Sequence, residues 1–146
     1  MTDRYPLLMA IAGGSLLALL AATLGPLLND PALVRWTVQM QDEEHARAAF
    51  ALIAIRHLPI FLLAVAAGQV IFRVVSKTAA ATVLAAAAPW WLYVVVTGTM
   101  ESVALGEDTF SWVFYNPAYF IWPHFVALPA GLLAASRMVQ RVRRSG

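Results

Sequence analysis

Apolar positions along this chain gather into four long blocks, roughly 7–28, 47–74, 79–100 and 118–138, with polar stretches between them. At 1.5 Å of rise per residue, about 20 helical residues cross a ~30 Å hydrocarbon core, and each block is that long. Backbone polar groups inside lipid must be satisfied within a helix or a closed barrel. The period-two alternation of a barrel strand is absent, so the blocks predict helices. The predicted fold is all-α: an integral membrane bundle of four transmembrane helices, one domain over residues 1–146. The first block follows Arg4 much as a signal peptide would. Leu7 to Leu28 is longer than a usual signal core, however, and no A-x-A site follows it, so an uncleaved first span is predicted.

Composition strengthens that picture. Hydrophobic residues are 61% of the 146 and charged residues 12%, and mean hydropathy is +0.72. Soluble domains carry about 25% charged residues, and a short chain cannot bury such an apolar surplus in its own core. A net charge of +2 gives no sign of a nucleic-acid partner. With no cysteine, disulfides, thiolate metal sites and covalent haem attachment are excluded. Arginine dominates the basic residues and alanine is abundant, compatible with a GC-rich bacterial genome.

Charge then orients the bundle. Arg4, Arg73, Lys77, Arg137, Arg141, Arg143 and Arg144 border the blocks on one side, while only Arg35 and Arg47 lie in the loops on the other. By the positive-inside rule both termini are expected in the cytoplasm, in the inner membrane of a bacterium. Asp30-Pro31 reads as an N-cap and first helical position, followed by Leu33, Trp36 and Met40 at helical spacing. The aromatic-rich "GEDTFSWVFYNPAYFIW" suits the headgroup level. Short interfacial helices are therefore predicted in both extracytoplasmic loops. The brief 76–78 connection predicts a tight antiparallel hairpin of the second and third blocks. In the first, Ala10, Gly14, Ala18 and Ala22 form a small-residue stripe of the kind membrane helices use for close approach.

The polar residues inside the blocks are the candidates for chemistry. "AIRHLPIF" places Arg56 and His57 just before Pro59. Arg56 is about 17 residues from Arg73, or ~26 Å, and His124 about 13 from Arg137, or ~20 Å, which puts them in the outer leaflet. Glu101 is expected at the outer interface. Ionisable groups in a bundle turn inward, and the prolines each free a carbonyl. The expectation is an outer-leaflet pocket of Arg56, His57, Glu101 and His124, with Trp90 or Trp91 in its floor and Glu43, Glu44 and His45 at its mouth. Arg56 would pair with Glu101 or the 42–44 acids, or bind a carboxylate, phosphate or quinone carbonyl.

Three functional classes fit these residues. The first is a small membrane protein acting as a subunit or binding partner in a larger assembly, as a homo-oligomer or with other subunits, its pocket holding a lipid, quinone or small anion. The second is a redox protein, with b-type haem held by His57 and His124 or a quinol site. The third is a small transporter gated by Arg56 and Glu101, against which the shallow site counts. "DEEHAR" lacks the E-x-x-H and H-E-x-x-H spacings, so no metal site is predicted there, and no catalytic group is assigned. The C-terminal "RMVQRVRRSG" reads as a positive-inside anchor at anionic lipid.

Overall fold

The computed structural model describes residues 4–28, 46–75, 79–104, 106 and 122–145. Among the described residues the chain is all-helical, with four helices: α1 (Arg4–Leu28), α2 (Ala46–Val74), α3 (Ala80–Ala104) and α4 (Trp122–Ser145). Three of them contain stretches long and apolar enough to cross a membrane: Tyr5–Leu24, His57–Val74 and Ala80–Met100. α4, described from Trp122 onward, is not among those three; it runs on through Arg137, Arg141, Arg143 and Arg144 as one amphipathic helix. The loop helices expected ahead of α2 and α4, over 30–45 and 107–121, lie outside the described residues.

Local signals explain the ends. Pro6 sits in the first turn of α1, where its missing N–H costs nothing. The Thr82 side chain donates to the Ala79 carbonyl at 2.6 Å in the opening turn of α3. Beyond α3, Gly106 takes a positive φ of 73° and its N–H reaches the Val103 carbonyl at 3.1 Å. A left-handed glycine closing a helix in this way satisfies an otherwise orphaned carbonyl.

The helices pack in two main pairs, α1 with α3 and α2 with α4, tied together by lesser α1–α2 and α3–α4 contacts. α2 and α3 follow each other closely in sequence, yet they are not a closely packed pair among the described residues. The short connection therefore does not make the packed hairpin it suggested. Small residues decide instead, because they let backbones approach. A Cβ on Gly14 would fall onto the Ala86 carbonyl, so α1 touches α3 backbone to backbone. A Cβ on Gly131 would lie 2.5 Å from the Phe61 carbonyl oxygen, and one on Gly68 would lie 2.8 Å from the Ala135 Cβ.

These contacts set the direction of α4. Gly131 meets Ala64, and Ala135 meets Gly68, a constant offset of 67 residues. Further along, the Arg143 Nη2 donates to the Phe72 carbonyl at 3.0 Å and approaches that of Arg73 at 3.4 Å. The two helices thus run parallel, and a cation on α4 covers the last carbonyls of α2, where a helix end favours positive charge. α3 leaves that same end after α2 and reaches Phe125 of α4 at Trp91, so it runs the opposite way.

The core between the pairs combines Ala10, Leu17 and Ala21 of α1 with Ile60, Ala64 and Phe72 of α2, and Ala86 and Trp90 of α3 with Leu128 and Leu132 of α4. Small and large side chains alternate across it. Outward, Leu16, Val70, Leu92 and Val126 stand more than half exposed.

Candidate functional site at the α2–α3–α4 end

His57 is buried, 6% exposed, and is one of three buried polar residues among those described, with Thr82 and Ser136. The buried stripe of α2 runs His57, Ile60, Ala64, Gly68 and Phe72. Arg56 and Ala67 lie roughly a quarter-turn from its centre at 100° per residue. The inward face is therefore centred on the histidine position. The expectation based on small residues set it slightly to one side, because large Ile60 and Phe72 also turn in.

The α2–α4 register bears directly on the second histidine. The offset of 67 residues that joins Ala64 to Gly131 also sets position 57 level with position 124. Both lie two turns back from the close contact, on the same faces of their helices. The side chains of Arg56, Glu101 and His124 lie outside the described residues, although their backbones belong to α2, α3 and α4. Glu43, Glu44 and His45 lie outside them entirely.

The two tryptophans take different parts. Trp90 is buried, 2% exposed, within the core. Its ring stacks on Tyr93 with centroids 5.4 Å apart and planes 29° from parallel. Trp91 is half-buried, and its Nε1–H donates to the Phe125 carbonyl at 3.0 Å. Pro129 explains why that carbonyl accepts. It stands four residues beyond Phe125 inside α4 and has no N–H to offer. A carbonyl freed in this way needs a donor from outside its own helix, and here the donor is the indole of α3. The bond pins α3 to α4 one residue from position 124.

Glu101 stands apart from this level. It is ten residues beyond Trp91 on α3, ~15 Å further along the helix axis. The structure thus brings His57, Trp90, Trp91 and position 124 to one level of three helices and carries position 101 past them. Sequence reasoning missed the Trp91–Phe125 bond. Pro129 was the available signal, since it marks Phe125 as an orphaned acceptor, but nothing in the chain says which donor 34 residues away will meet it.

Comparison with known proteins finds no matching family model, no matching curated protein and no matching solved structure. Function therefore rests on the molecule's own geometry.

Proposed function

We propose that this chain is a small integral membrane protein, a subunit or binding partner within a larger membrane assembly. On this reading all four helices cross a bacterial inner membrane with both termini cytoplasmic. The end where α2, α3 and α4 meet at His57 forms an outer-leaflet pocket for a lipid, a quinone or a small anion. The observation that carries the membrane assignment is how little of the apolar surface the fold itself covers. Only 28% of the Tyr5–Leu24 and His57–Val74 windows and 33% of the Ala80–Met100 window are buried. Side chains left outward in water would form a continuous apolar surface of a kind that marks a membrane or a partner.

α4 is assigned as the fourth span because it runs parallel to α2 in register, and so shares its depth. The pocket assignment draws on the burial of His57 and on the adjoining aromatic wall. Backbone contact at Gly131, ~11 Å from the histidine level, leaves α2 and α4 little divergence there. That favours a slim ligand beside the seam over a haem clamped between positions 57 and 124.

Native mass spectrometry of the detergent-purified chain tests the reading. The wild type is expected to carry a retained small ligand or to appear as an oligomer or heteromer, and His57→Leu to lose the ligand. A bare monomer from both proteins sinks the pocket and the subunit role together. Because the chain has no cysteine, single-cysteine labelling reads topology directly. Gly106→Cys should label from outside intact cells, and Ser145→Cys only after permeabilisation.

A further inference from the structure

We propose that the C-terminal end of the bundle carries an arginine comb that binds the phosphate groups of anionic phospholipids. The proposal rests on the membrane reading but concerns the opposite end from the His57 level. Its basis is the division of labour among the arginines of α4. Arg143 turns toward α2 and donates to the Phe72 carbonyl at 3.0 Å. Arg137, Arg141 and Arg144 recur at i, i+4 and i+7, which sets them within about 60° of one another on the face opposite buried Leu132, Ala135 and Val139. All three are exposed.

The same outward face is apolar earlier in the helix. Val126 is 54% exposed and Leu133 is 43% exposed, and both lie in line with the three arginines. One continuous helix face thus changes from hydrocarbon-compatible to cationic between Leu133 and Arg137. That change marks the boundary between acyl chains and headgroups. The neighbouring helix makes the same change at a similar level: Val70 is 63% exposed, and Arg73 beside it is exposed. By the α2–α4 register Arg73 stands level with position 140, between Arg137 and Arg141 along the axis.

The ligand class follows from the chemistry. The chain has no Asp or Glu from residue 46 to 100 or from 109 to 146, so neither α2 nor α4 supplies these arginines with a carboxylate. Guanidinium groups match phosphate bidentately. Clustered Arg beside a span attracts anionic lipid. The first arginine, one turn inside the level of Arg73, reaches the headgroups by extending its stem along the helix.

The test adds equimolar phosphatidylglycerol and phosphatidylcholine to the full detergent-solubilised chain and counts bound lipids by native mass spectrometry. The wild type should favour phosphatidylglycerol. The triple variant Arg137→Gln/Arg141→Gln/Arg144→Gln should lose that preference, on the order of fivefold for each arginine removed, without a change in melting temperature. Arg143→Gln should melt lower yet keep the preference. A triple variant with the wild-type lipid ratio, or a preference abolished by Arg143→Gln alone, overturns the proposal. A chain that stays soluble without detergent overturns the membrane reading instead.

Discussion

In the α1–α3 pair Gly14 comes up against the backbone of Ala86; in the α2–α4 pair Gly131 comes up against the backbone of Phe61. The hydroxyls of α1 stay within their own helix, Ser15 on the Ile11 carbonyl at 2.9 Å and Thr23 on that of Leu20 at 2.8 Å. α4 instead exchanges polar contacts with both neighbours, donating from Arg143 to α2 and accepting from Trp91 of α3 at Phe125. In lipid no hydrophobic force separates helix from acyl chain, so helices hold by close packing and by hydrogen bonds across the interface. Close packing serves both pairs, and the α2–α4 pair adds a hydrogen bond across its interface from Arg143. The candidate site lies at the other end of α4 from Arg143, where Trp91 of α3 donates to the Phe125 carbonyl.

The sharpest way to break this comparison is at Gly14. In Gly14→Val the new side chain meets a backbone carbonyl that cannot rotate away. The expected loss exceeds the ~1–3 kcal/mol usual for overpacking. Gly13→Ala beside it meets only the Ile71 side chain, at 2.8 Å, which has rotamers to yield. Thermal unfolding in detergent should therefore separate the two neighbours widely; equal losses would mean that α1 and α3 do not meet backbone to backbone.

A smaller effect probes the polar seam. Trp91→Phe keeps the ring but removes the N–H that donates to the Phe125 carbonyl, at a cost of about 1 kcal/mol. Pro129→Ala restores a helical N–H for that carbonyl. In the Pro129→Ala background, Trp91→Phe should then cost close to nothing. A double-mutant cycle reads the coupling, and additive losses would refute the link between proline and indole. The smallest effect is Arg143→Gln, which uncaps α2 at an exposed position and should lower stability by less than about 1 kcal/mol.

Much of this architecture was legible along the chain, and particular residues show why. The apolar blocks marked all four helices, because helix formation in an apolar run is a local property of length and hydropathy. The stripe of Ala10, Gly14, Ala18 and Ala22 pointed to a close-packing face; the first three are buried and Ala22 is half-buried. The C-terminal arginines marked a polar end, but the amphipathic character of α4 emerged only once the helix was seen to continue through them. The hairpin of α2 and α3 was misjudged because loop length limits only how far apart two helix ends can be, not which faces fit.

For the candidate site, composition and depth selected His57 and the tryptophans, and burial supports His57 as an inward position. Depth counting could not distinguish the roles of Trp90 and Trp91, since adjacent residues point about 100° apart and only their neighbours separate a stacked ring from a hydrogen-bond donor. By itself, the sequence determined the helices, their apolar character and the arginine-rich end, all properties of local composition and periodicity. Tertiary structure alone decided that α2 and α4 pack against each other at an offset of 67 residues, and that Trp91 meets the carbonyl freed by Pro129. Those outcomes depend on which small residues let two backbones touch, and such a contact is a joint property of two helices distant in the chain.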